Sequence, residues 1–132
     1  MTILTWGIKS SLRAYVRGMP DGRVEVSDGA EEVASGFSFP GHALRFTGAV
    51  TLTGHNGMMR VRIADPALVE SDGAWTLEIA DPDDPAVRLP FATVGCFDGA
   101  IGRELALTED GADLFFGPYR AGTPLDDVTV AP

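Results

Sequence analysis

Two stretches of the chain carry side chains that could do chemistry together. In Ser11-Leu12-Arg13-Ala14-Tyr15 a hydroxyl and a phenol stand four residues apart, which on a helix makes them neighbours on one face. About forty residues later, Thr51-Leu52-Thr53-Gly54-His55-Asn56-Gly57 reads as a strand running into a glycine-flanked turn that displays an imidazole. A phenol donates a hydrogen bond and, once ionised, is a hard anionic donor; an imidazole accepts or gives up a proton near neutrality. Singly, each residue has a plainer reading. The Tyr15 ring would be packed with its hydroxyl on a backbone carbonyl, and His55 would be a turn residue. Other chemistry-bearing patterns do not occur in the sequence: it has no glycine-rich phosphate loop, no zinc spacing of His and Cys, and no serine elbow. Asp81-Pro82-Asp83-Asp84 gathers carboxylates that read as a solvated turn ahead of a weak calcium site.

The elements that must position these groups follow from periodicity. Thr5 as N-cap and Gly18 as stop frame a helix of roughly three turns, with Ile8, Leu12, Tyr15 and Val16 on its buried face. Beyond Pro20-Asp21-Gly22 the pattern changes to period two. Val24 and Val26 alternate with polar residues, as do Phe37 and Phe39. Leu44, Phe46, Val50 and Leu52 make the longest run, broken only by Gly48. Met59, Val61 and Ile63 follow, then Trp75, Leu77 and Ile79, then Leu89 and Phe91, then Leu105 and Leu107. Turn signals stand between them at Asp28-Gly29, Pro40-Gly41, Asp65-Pro66, Asp72-Gly73, Asp98-Gly99 and Asp110-Gly111. The expected fold is therefore mainly β, a β-sandwich-like pair of antiparallel sheets of short strands with one N-terminal α-helix.

The chain of 132 residues is expected to form a single domain, 1–132. Its formal charge of −9 disfavours nucleic acid and anionic membrane surfaces, which call for concentrated Lys and Arg. The single cysteine, Cys96, rules out an internal disulfide and a thiolate cluster; its apolar neighbours suggest a packed, inert thiol. No apolar run reaches transmembrane length, and no charged-then-apolar leader precedes the first helix. As given, the chain is expected in the cytoplasm, or exported if it has been trimmed.

Three ordered segments resemble the HtaA domain, a haem-binding module of bacterial haem-uptake systems. Trp6-Gly7-Ile8-Lys9-Ser10-Ser11-Leu12-Arg13-Ala14-Tyr15 is similar to the family's opening helix. Phe46 through Gly57 resembles its strand and histidine turn, and Gly111 through Asp126 resembles its closing motif. The resemblance implies ferric haem b as cofactor, with Tyr15 as axial metal ligand and His55 hydrogen-bonded to the phenolic oxygen. Phenolate is a recognised axial ligand of haem, and a free tyrosine (pKa near ~10) must be helped to ionise at neutral pH. It also implies that Ser11 donates to a propionate and that Tyr119 packs against the macrocycle. Pro118 stands where the family often has another aromatic, a gap that Phe116 or Phe115 is expected to fill. Arg13 and Arg120 are candidate propionate partners. The implied role is carriage, transfer or buffering of haem, with a haem donor or acceptor protein as partner. Two rivals remain: a haem-dependent peroxide-processing enzyme using His42 on the open face, and a haem-free sandwich binding a sugar or protein.

Overall fold

The computed structural model describes residues 1–115 and 117–132. The chain opens with a strand, β1 (Thr2–Trp6), in which Leu4 and Trp6 point inward, and only then forms the helix α1 (Ser10–Gly18). Thr5 is thus a strand residue and not a cap. The chain turns between the two elements at Gly7-Ile8, where Ile8 is left-handed (φ 63) and wholly buried. The expected buried helical face holds only in part: Leu12 and Val16 are buried, but Tyr15 is 52% exposed and Ile8 precedes the helix.

The chain then runs through β2 (Arg23–Ser27), β3 (Glu31–Val33), β4 (Gly36–His42), β5 (Arg45–Phe46), β6 (Ala49–Gly54), β7 (Met59–Ala64), β8 (Ala67–Ser71) and β9 (Ala74–Ala80). It ends with β10 (Arg88–Phe97), β11 (Ile101–Leu107), a short helix α2 (Glu109–Asp113) and β12 (Val128–Ala131). Among the described residues two α-helices are therefore present where the sequence suggested one. The Asp110-Gly111 turn signal lies inside α2, whose Thr108 side chain accepts the Gly111 N–H and so caps it. Pro40-Gly41 likewise lies within β4 and not at a turn.

The architecture corrects the sandwich expectation. The strands β1, β12, β11, β10, β9, β8, β5 and β4 pair in that order, and β4 pairs back onto β1, closing an eight-stranded barrel. β3 pairs with the first residues of β4, on the edge that β5 takes up at Gly41-His42, and β2, β6 and β7 form a separate three-stranded sheet. Period-two alternation is common to sandwiches and barrels; what decides closure here is β1, bonded to β12 on one edge and β4 on the other. The long run from Leu44 to Leu52 is divided between the two sheets at Gly48 (φ 125), where a Cβ would meet the Ala30 backbone. Residues of both sheets, among them Phe37, Phe39, Leu52, Ile63, Leu77 and Ile79, share one continuous core. Cys96 is exposed, against expectation. It shares a face with buried Ala92 and Val94 but lies beyond the last β9 pair, Val94 with Trp75, where β10 runs out over solvent.

A two-residue loop, Ala43-Leu44, joins β4 to β5 with both residues left-handed (φ 53 and 65). Such loops favour Asn or Gly, because an L side chain pays roughly 1 kcal/mol there. Leu44 packs on the core, whereas Ala43 is exposed. Ala43→Asn should therefore raise the unfolding free energy by about 0.5–1 kcal/mol in urea titration, with no change in the groove described next.

Candidate functional site

α1 has no side-chain cap of its own; Lys9 at its N-cap is extended and contributes none. The cap comes from the far end of the chain. Asp126 Oδ1 accepts the Ser10 N–H at 3.0 Å, and Oδ2 lies 3.2 Å from Arg13, which also donates to the Gly7 carbonyl at 2.7 Å. The Asp126 backbone completes the tie, its N–H donating to Ile8 and its carbonyl accepting from the Trp6 indole. A carboxylate at a helix N-terminus is also favoured by the helix dipole. The helix that carries Tyr15 is thus held to the barrel by one aspartate that the sequence marked only as the end of a motif.

The hairpin of β6 and β7 brings His55 to that helix. β2 follows α1 and pairs with β6, Arg23 opposite Thr53 and Val24 opposite Leu52, so the tip of the hairpin lies beside the C-terminal end of α1. There Tyr15 Oη and His55 Nε2 are 2.6 Å apart. With a neutral phenol the O–H donates to the ring nitrogen; with a phenolate, Nε2–H donates to oxygen. One hydrogen bond serves either state.

The pair opens onto a groove of about 700 Å³, within the usual range for small-molecule sites. Leu12 and Tyr15 line one side and His55, Met58 and Met59 another; Phe115, Pro118 and Tyr119 complete it. α2 seats Phe115, which is buried, and Tyr119 packs edge-on against it with centroids 5.0 Å apart. The stack continues inward through Phe91 to Trp6. Burial raises the pKa of the Tyr119 phenol above the usual 10.0, and the nearby Tyr15 adds to the effect. Lys9 Nζ sits 5.7 Å from the Tyr119 ring centroid and donates to the Pro124 carbonyl.

The structure therefore brings Tyr15, His55, Phe115 and Tyr119 to one groove. Ser11 is exposed one helical turn before Tyr15 and is not among the lining residues. Phe116 lies outside the described residues. Arg13 is committed to Gly7 and Asp126, and Arg120 is exposed beside Tyr119. His42 ends β4 on the exposed surface, five residues past Phe37, the partner of Trp6, or roughly 17 Å along the strand. Sequence reasoning missed Met58, 84% exposed at the groove. Its signal was its position: Met58 directly follows the His55-Asn56-Gly57 turn and precedes β7, so its side chain stays beside the turn.

A family description, Htaa, matches residues 2–131. The chain belongs to the HtaA family. Among solved structures, the C-terminal domain of HtaA from Corynebacterium glutamicum superposes with a TM-score of 0.81 at 21% identity, covering 98% of this chain and 93% of that one. The N-terminal domain of the same protein gives 0.76 at 22% identity, covering 98% and 94%. A domain-swapped dimer of a histidine-to-alanine variant of the C-terminal domain gives 0.68 at 21% identity, covering 96% and 93%. No curated protein sequence matches. This chain thus shares the fold of those HtaA domains.

Two measurements check the site's construction. Asp126→Ala removes the cap and the Arg13 ion pair together, both partly exposed, and should cost about 1–3 kcal/mol in chemical unfolding; Asp126→Asn, which keeps an oxygen for the Ser10 N–H, should cost less. The chain has two tyrosines, so Tyr15→Phe leaves Tyr119 as the sole phenol in an ultraviolet pH titration. Its midpoint should stay above 10.0, since burial is the larger cause and survives the substitution. The sign follows: the neutral phenol's contribution to stability is complete below 10 and fades as pH rises through the higher folded value.

Proposed function

We propose that this HtaA domain binds ferric haem b in the groove, with the Tyr15 phenolate as axial ligand and His55 donating Nε2–H to its oxygen. Family membership implies a haem-related function. The observation that carries the finer reading is the 2.6 Å contact between Tyr15 Oη and His55 Nε2 at an open, mostly apolar groove. Ferric iron is a hard acid and phenolate a hard donor, while the imidazole steadies the anion and orients the ring. Leu12, Phe115 and Tyr119 offer the apolar surface that a porphyrin face needs. Ser11, exposed one turn before Tyr15 and outside the groove lining, would meet a propionate only where it reaches solvent.

Cargo suits this site better than turnover. The groove is open and the Tyr15 ring half exposed, so a bound ligand is reached from solvent and can leave by the same route. His42, the group that peroxide chemistry would call on, faces solvent at the end of β4. The haem-free reading asks for a Tyr15 hydroxyl satisfied by backbone and a closed pocket beside α1, and an exposed tryptophan would strengthen it. Instead the hydroxyl meets His55, Trp6 is 1% exposed, and Trp75 packs on Phe97. Haem carriage, transfer or buffering, with a donor or acceptor protein as partner, is the function this geometry supports best.

Haemin titration of the purified chain should saturate near one equivalent with a high-spin ferric tyrosinate spectrum. Tyr15→Ala should abolish that spectrum, and His55→Ala should weaken retention by about 10- to 100-fold. Equal and weak uptake by wild type and Tyr15→Ala would remove the assignment.

A further inference from the structure

The segment between α1 and β2 fastens the His55 turn. Because Arg23 pairs with Thr53, each step back from β2 meets one step forward from β6, and Asp21 arrives beside the turn. Its Oδ2 accepts the Asn56 N–H at 2.6 Å. Two residues earlier, the Met19 thioether lies over Gly54 so closely that a Cβ at Gly54 would overlap it. Between these anchors the backbone is left-handed at three successive residues, His55, Asn56 and Gly57, with φ of 51, 56 and 84. Asn56 and Gly57 accept that conformation readily, but for His55 it is less favourable and is kept by the surroundings. The Met58 N–H closes back on the His55 carbonyl at 3.0 Å, but nothing in that bond fixes the turn relative to α1. The carboxylate of Asp21 does so, because it follows the helix that carries Tyr15.

We propose that Asp21 is a positioning residue: by accepting the Asn56 N–H it holds the left-handed turn that delivers His55 Nε2 to Tyr15 before any ligand arrives. The inference rests on the haem reading for its consequence, but the geometry it concerns belongs to the ligand-free protein. An exposed turn of this kind would otherwise sample other backbone states, and the imidazole would leave the phenol for water. Held as it is, the hydrogen bond is ready-made, and a ligand binding through Tyr15 does not have to order it.

The test uses wild type, Asp21→Ala, Asp21→Asn and Tyr15→Phe. In ligand-free protein, nitrogen NMR of the His55 ring should show a hydrogen-bonded Nε2 in wild type. Asp21→Ala should shift it to the position found in Tyr15→Phe, and Asp21→Asn, whose amide oxygen still accepts, should restore it. In haemin-loaded protein, transfer to an apo-globin scavenger should run about tenfold faster from Asp21→Ala than from wild type, with the melting temperature little changed. A wild-type ring signal and wild-type release in Asp21→Ala would overturn the role of Asp21 while leaving haem binding intact. Failure of wild type to give a tyrosinate spectrum would sink the haem reading, and the ring signal would still decide the positioning role.

Discussion

β1 is bonded along both edges, to β4 and to β12, and the candidate groove hangs from that closure. Barrel closure removes the free edges a β-sheet would otherwise expose. It also places the last strand beside the first, so that Asp126, two residues before β12, meets the β1–α1 junction. There its backbone and carboxylate together engage Trp6, Ile8, Ser10 and Arg13. The left-handed Ile8 is tolerated because its side chain is fully buried and its carbonyl takes the Asp126 N–H. Without the closing segment α1 would start uncapped from a strained junction. Its angle to the barrel, and with it the direction of Tyr15, would be unspecified.

The groove joins three segments that are distant in sequence: α1, the β6–β7 tip, and the stretch after α2. Each is set by a different kind of constraint. α1 is tied electrostatically and by backbone bonds, and the hairpin tip by the β2–β6 register. The Phe115 wall is set by aromatic packing that continues through Phe91 to Trp6. Because side chains alternate along a strand, a one-residue slip of β6 against β2 would turn Val50 and Leu52 out of the core. It would also carry the turn away from α1. The Tyr15–His55 contact is therefore a report on register: it exists only if the core of the smaller sheet is packed as observed.

Much of this was legible in the chain, and the omissions have physical causes. The helix, the alternating strands and the histidine turn follow from local periodicity, and the structure contains them, though Tyr15, expected on the buried face, turns outward. What periodicity cannot carry is long-range pairing. Thr2–Trp6 alternates inward and outward, but the following helix pattern overlaps it, so Thr5 looked like a cap. β12 is short and reads as a tail. Since these two strands close the barrel, missing them made a sandwich the natural expectation. Cys96 was misjudged for a related reason: its neighbours are apolar, but burial depends on whether a third strand reaches that far. Asp21 and Asp126 were invisible as site residues because each acts on a backbone N–H far away in sequence. No side-chain pattern announces such a bond.

The same hydrogen bond between Tyr15 and His55 can run in either direction, and this bears on what a ligand at the phenol oxygen would require. When the phenol is neutral its O–H donates to Nε2; when it is ionised Nε2–H donates to oxygen. The heavy atoms need not move between the two states, so gaining or losing a ligand on the oxygen calls for a proton to relocate and not for a rebuilt site. Tyr119, across the groove, is held neutral to higher pH by burial and by Tyr15 itself. The two phenols thus differ in environment: one is open, half exposed and coupled to an imidazole, the other packed against Phe115. That division follows from which phenol the fold leaves beside a base, and the β2–β6 register makes the choice.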